Sequence, residues 1–274
     1  MAGYVCTIAG GKGGVGKTTT AVNVGAALQK QGYDAVVVDA DLGMANLGAM
    51  LDVEPTTSLH EILAGDAAVS DALTDTDGGL TIIPGEQSLE AFADADPAKL
   101  RKVIKTLRNA YDVVLIDTGA GLSHEVAVPL GLADGVVLVT TPDDVAVGDT
   151  VKTAELADRI DGDVIGAVLN RVTRSTDVEA ITDRLGFPLL AVIPEDLEAT
   201  TDEPLVLHAP ESQAAEAFRG LADLLEEVFF EGRTDFSDVK PVVDESWFRD
   251  AEATEADAEG DEEEESGGVL GFFG

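Results

Sequence analysis

Short apolar runs rich in valine and isoleucine recur along the chain: YVCTIAG (4–10), DAVVVDA (34–40), LTIIPG (80–85), DVVLIDT (112–118), GVVLVTT (135–141), DVIGAVLN (163–170) and PLLAVIP (188–194). None alternates cleanly between apolar and polar residues, which is the pattern of strands covered on both faces. Stretches with helical periodicity lie between most of them. Residues 17–31 follow a glycine-rich loop, and residues 97–108 place Leu100, Val103, Ile104 and Leu107 on one face. Residues 145–160 behave similarly, and residues 212–230 gather Ala214, Ala217, Phe218, Leu221, Leu225 and Val228 on one stripe. Alternation of this kind predicts an α/β fold, a mostly parallel sheet flanked by helices.

The periodicity stops near Thr234. Residues 250–265 hold ten acidic residues and no basic one, the composition of a self-repelling segment that is expected to be disordered. After it stands SGGVLGFFG (266–274), apolar again. The expected organisation is one domain over residues 1–233, an acidic linker over 234–265, and an apolar targeting or docking motif over 266–274.

Charge changes the picture more than composition does. The chain has 53 Asp and Glu against 17 Lys and Arg, a net charge of −36. A carboxylate-rich surface stays hydrated, and its self-repulsion is screened, in a salt-rich cytoplasm, so adaptation to high salt is the plainest reading. The same charge argues against tight binding to DNA, which weakens steeply with salt. One helix departs from the pattern: residues 97–108 carry Lys99, Arg101, Lys102, Lys105 and Arg108. A partner-binding stripe and a solvated face opposite the apolar stripe both account for it; the solvated face is the plainer. The single cysteine, Cys6, allows no internal disulfide and no paired-thiolate metal site. No run of 18 apolar residues is present. A cytoplasmic protein is expected.

The candidate chemistry begins at GGKGGVGKTTT (10–20). Gly11, Gly16, Lys17 and Thr18 satisfy the phosphate-loop spacing, between a predicted strand and a predicted helix. Such a loop brings backbone N–H groups to phosphates, and the helix start adds partial positive charge. Lys17 is suited to the β- and γ-phosphates, and the Thr18 hydroxyl to Mg²⁺. Three carboxylates follow strand ends: Asp39 and Asp41 after VVV, and Asp117 after VVLI. In a parallel sheet these ends gather at the edge where ligands bind. One feature exceeds the generic loop, a second lysine, Lys12.

GKGGVGKTT (11–19) resembles the deviant Walker A motif of the MinD/ParA group of ATPases. VVVDADLGMANL (36–47) is similar to the first switch of its MinD branch, and IDTGAG (116–121) to the second. VLNRV (168–172) and VIPED (192–196) are similar to the later base-binding segments. The resemblance covers about residues 3–230. It implies a single P-loop NTPase domain that takes ATP and Mg²⁺ and forms an ATP-dependent homodimer. By resemblance, Gly11, Lys12, Gly13, Gly14, Val15, Gly16, Lys17, Thr18 and Thr19 hold the phosphates, with Lys12 reaching the nucleotide of the partner subunit. Asp41 orients the attacking water, while Thr18, Asp39 and Asp117 organise Mg²⁺. Asn170, Pro194 and Asp196 surround the base. Gly119 departs from the pattern, standing where the group usually has proline.

The function implied is a MinD-like switch that positions a division site, motility structure or chemosensory array at a surface or pole. Val269, Leu270, Phe272 and Phe273 stand where that branch carries a membrane-targeting helix, and a membrane surface or a polar scaffold protein is the expected partner. The activating protein is not named by the sequence. A ParA-type DNA-partition ATPase is the alternative, disfavoured by the charge. An iron–sulfur carrier is set aside for want of a cysteine pair. With no arginine near the motifs to serve as an internal finger, hydrolysis is expected to be slow without a partner.

Overall fold

The computed structural model describes residues 2–195, 202–236 and 239. Eight strands form one sheet: β1 Tyr4–Ala9, β2 Ala35–Ala40, β3 Thr74–Asp75, β4 Thr81–Ile83, β5 Val113–Thr118, β6 Gly135–Thr140, β7 Val164–Val172 and β8 Leu189–Pro194. Their order is β3-β4-β2-β5-β1-β6-β7-β8. Every neighbouring pair is parallel except β3 with β4. Every residue of β2, β5 and β6 is buried, as strands with both faces covered require.

The helices are α1 Lys17–Lys30, α2 Leu47–Met50, α3 Leu59–Ala64, α4 Leu89–Asp94, α5 Leu100–Leu107, α6 His124–Leu130, α7 Asp144–Arg159, α8 Val178–Leu185, α9 Leu205–His208 and α10 Gln213–Glu226. Successive strand residues point to opposite faces, and the core divides accordingly. Cys6, Ile8, Val37, Leu115 and Val137 pack with α1 and α10 on one face. On the other, Val5, Val36, Val38 and Val114 meet α3 and α5, while Val136, Leu138 and Leu169 meet α6, α7 and α8.

Local chemistry sets several helix starts. Ser58 and Glu61 form a reciprocal capping box on α3, and Asp143, Asp177 and Ser212 each accept a backbone N–H at the start of α7, α8 and α10. The stripe anticipated for residues 212–230 is real: α10 buries Phe218, Leu221 and Leu225, then continues as one π-helical turn to Glu231. That turn lets Phe229 stack on Tyr4 and Phe230 on Tyr33, with ring centroids 4.4 Å and 4.3 Å apart. Packing runs on to Phe236, which lies against the same core and under the Arg233 guanidinium. The acidic run 250–265 and the apolar end 266–274 fall outside the described residues.

Among the described residues Phe218 is the largest fully buried side chain. Phe218→Ala is expected to destabilise the fold by about 3–5 kcal/mol, through lost burial plus the cavity left behind. Denaturant unfolding of the two proteins at one salt concentration checks this.

Candidate nucleotide-binding site

The loop between β1 and α1 is shaped by its glycines. Gly16 takes φ 101°, a left-handed conformation, and a Cβ there would come within 2.1 Å of the Asn170 amide nitrogen. A Cβ on Gly11 would meet the Asp149 backbone at 2.2 Å. Gly16 is also the N-cap of α1 and offers no side-chain oxygen to the first turn. The free N–H groups there remain for a ligand. The loop is stitched to β7, because Asn170 donates from Nδ2 to the Val15 carbonyl at 2.9 Å. Its Oδ1 accepts from the Arg171 N–H. One amide hydrogen and one lone pair of Asn170 are left over.

The loop borders a cleft of about 580 Å³ whose wall includes Gly13, Lys17, Thr18, Asp41, Met44 and Arg171. Lys17 is 7% exposed. Arg171 went unrecognised in the sequence although it directly follows Asn170 in VLNRV; its backbone is left-handed, φ 57°. So an arginine does line the cleft, contrary to the expectation that none stood near the motifs.

Asp39 and Asp117 are paired positions on neighbouring strands β2 and β5. They differ in what they hold. Asp39 accepts the Asp41 N–H on Oδ1 at 3.2 Å, and the Asn46 and Leu47 N–H groups on Oδ2, each at 3.0 Å. It therefore fastens the loop 41–46 to the strand end. Asp117 is 1% exposed, and neither of its oxygens has a hydrogen-bond partner. Burial pushes its carboxyl up to about 8, and the Asp39 charge adds to this; the nearby Thr18 hydroxyl and Lys17 ammonium oppose it only in part. Asp39 is raised to about 6, again by burial first, with its three backbone N–H donors pulling the other way.

A buried carboxylate without a partner is costly and calls for a cation. Among the described residues no cluster of three or more His, Cys, Asp or Glu could hold a metal through side chains alone. That donor set fits Mg²⁺, which keeps waters and takes one or two protein oxygens besides those of phosphates. Thr18 and Asp117 are the residues that would supply them here.

Asp41 accepts the Met44 N–H on Oδ1 at 3.0 Å. A Cβ on Gly119 would lie 3.0 Å from that same oxygen, so the bare Cα of residue 119 leaves Asp41 its room. The two lysines of the loop part company. Lys12 is exposed and pairs with Asp143 Oδ1 at 3.0 Å, both side chains about half in solvent. Such a pair contributes little and is readily exchanged.

On the base side, Pro194 ends β8, and Asp196 lies outside the described residues. Beyond that gap Glu203 accepts from Asn23 of α1 at 2.7 Å and from the Leu205 N–H, while Asn23 Oδ1 accepts the Val206 N–H. Burial raises the Glu203 carboxyl, and these donors restrain the rise. The segment entering α9 is thus tied to the helix that follows the phosphate loop.

A glycine loop at a strand-to-helix turn in a parallel sheet, with a buried lysine and an unpartnered carboxylate beside it, defines a P-loop nucleotide-binding protein. Residues 6–203 match the CobQ/CobB/MinD/ParA nucleotide binding domain, and the chain belongs to that family. It is 39% identical over 224 residues to an uncharacterised ATP-binding protein of Methanocaldococcus jannaschii, covering 78% of this chain and 84% of that one. The septum site-determining protein MinD of Synechocystis is 30% identical over 237 residues, 81% of this chain and 89% of its own. The structure of the septum site-determining protein MinD from Pyrococcus horikoshii, complexed with Mg-ADP, superposes with a TM-score of 0.78 at 38% identity, covering 85% of this chain and 99% of that one.

The Asp117 carboxyl gives a stability test in the nucleotide-free protein. A carboxyl raised in the folded state contributes stability that is complete below its ordinary value and is lost as pH rises through about 8. Asp117→Asn removes that dependence. The variant is expected to be more stable than the parent by about 1–4 kcal/mol at pH 9 and nearly equal to it at pH 4, read by chemical unfolding without Mg²⁺ or nucleotide.

Proposed function

We propose that the chain is a MinD-like ATPase switch that binds ATP with Mg²⁺, dimerises in the ATP state and thereby positions a cellular structure. Its supports are the family, relatives named for septum-site determination, and the Mg-ADP held by the Pyrococcus relative. The observation that carries the reading is the divergence of two lysines on one loop. Lys17 is buried at the cleft, while Lys12 stands outward in a weak exposed pair with Asp143.

In this reading the backbone of residues 11–19 and Lys17 grip the phosphates. Thr18 and Asp117 take the metal, which supplies charge neutralisation at the transferred phosphate. Asp39 keeps the loop 41–46 in place. Lys12 leaves Asp143 for the phosphates of a second copy, so dimerisation follows ATP. Asn170 keeps its bond to Val15 and offers its remaining capacity to the base, with Pro194 and Asp196 beside it. Asp41 orients water once its side chain turns away from the Met44 N–H on a loop whose base stays in place, so the isolated protein is slow. Attachment is assigned to the apolar run at 268–274, on a membrane surface or a polar scaffold protein, from the cytoplasm.

Light scattering in concentrated KCl tests this. The parent is expected to be monomeric without nucleotide, and Asp41→Ala dimeric with Mg²⁺-ATP. Lys12→Ala is expected to bind ATP yet remain monomeric. Lys17→Ala should bind it about 10–100-fold more weakly, the loss of one charge-assisted contact. The purified parent should turn over at less than about one per second. A Lys12→Ala protein that dimerises like the parent overturns the switch mechanism.

A further inference from the structure

The loop that carries Asp41 is held from a second direction by a histidine with no part in the motifs. His60 lies in the first turn of α3 and is 1% exposed. Its Nε2 faces the Leu42 carbonyl at 2.9 Å, and its Nδ1 faces the Glu86 N–H at 3.0 Å. The partners fix the tautomer: Nε2 carries the proton and donates, and Nδ1 is bare and accepts. One ring thus joins the residue after Asp41 to the loop that follows β4.

That second loop is itself packed against the first. Gln87 donates to the Ala45 carbonyl. A Cβ on Gly85 would come within 2.4 Å of the Ala45 Cβ. Pro84 accepts the N–H of Leu59, which precedes His60. Within the loop 41–46, the Asp41 carboxylate accepts one hydrogen bond, from the Met44 N–H in the same loop. It cannot set the loop's place on the sheet. Asp39 fastens one side, through the amides of Asp41, Asn46 and Leu47. His60 fastens the other, through a carbonyl on a residue only 6% exposed. Without that donor the buried Leu42 carbonyl loses its partner, and the loop gains by turning it toward water.

We propose that His60 is a positioning residue for ATP hydrolysis: by holding the Leu42 carbonyl it sets the aim of the Asp41 carboxylate. The inference rests on the reading of Asp41 as the group that orients water. A misplacement of about 1 Å at such a group costs about 100-fold in rate, so even a partial shift is measurable.

Two conservative substitutions separate the two ring nitrogens. The amide of Gln reaches the position of Nε2 and can donate to Leu42; that of Asn reaches the position of Nδ1 and can accept from Glu86. H60N is expected to lower kcat about tenfold while ATP affinity, read by equilibrium titration, stays within about twofold. H60Q should recover most of the rate, although it too is a buried substitution and should lose similar thermal stability. In the Asp41→Ala background H60N should have no further effect on kcat, which an unrelated structural loss would not reproduce. A parent without turnover overturns the ATPase reading and this one with it. A parent that turns over, with H60N unchanged, with H60N and H60Q equally slow, or with losses that add to that of Asp41→Ala, overturns the His60 assignment alone. The parent supplies a check free of substitutions. Of the three histidines, His124 and His208 are exposed, so the His60 ring is the buried one in a histidine-labelled NMR spectrum. Its proton should sit on Nε2 and be slow to exchange; an Nδ1–H tautomer overturns the proposal.

Discussion

Two carboxylates stand side by side at the ends of β2 and β5, both out of water, with one buried lysine nearby. Their lost hydration, with the Asp39 charge acting on Asp117, is the constraint around which the rest of the cleft is arranged. One of them, Asp39, is relieved by three backbone N–H groups, and those donors can reach it only if residues 41–47 fold back over the strand end. The other, Asp117, is left bare. The nucleotide-free fold therefore holds a buried carboxyl that a divalent cation would relieve of its proton, which would link ligand binding to local stability.

The neighbouring loops follow from this arrangement. The segment that Asp39 pulls inward brings Asp41 against the bare Cα of Gly119, where any larger residue would press on its carboxylate. His60 and the loop after β4 hold the same segment from behind, so three separate stretches of chain determine one side-chain position. On the far side of the phosphate loop, Asn170 ties Val15 to β7 and leaves Gly16 no space for a side chain. The cleft is preorganised around its phosphate end, while the outward lysine and its aspartate remain in solvent.

The strong periodicities were legible in the sequence. All seven apolar runs became strands, and the four helix-like stretches became α1, α5, α7 and α10, each within a few residues of its expected ends. The misses have physical causes. β3 is two residues long, too short to carry a pattern, and exists because β4 pairs with it. Helix α6 contains Pro129, which reads as a helix breaker but sits near the C-terminal end of a short helix. The basic residues of the 97–108 segment lie mostly outward, with Arg108 paired to Asp134 and Lys99 on the Ala64 carbonyl, as a solvated face would have them. At the site, spacing located Lys17, Thr18, Asp39, Asp41 and Asp117 together. It gave no sign that Asp39 spends its oxygens on backbone amides while Asp117 has none. Asp143 and His60 were invisible for the same reason: each acts through a contact far away in the chain, and neither belongs to a local pattern.

The sheet's margin has a consequence for how copies of this chain can meet. An open strand edge is a template that recruits further strands without limit. Here the β4 margin carries the two residues of β3, which run antiparallel and end in an exposed aspartate; at the opposite margin every residue of β8 is buried. The protein thus offers little backbone for polymerisation through its strands. Any contact between copies is left to loops and side chains, which meet in finite number and can be undone.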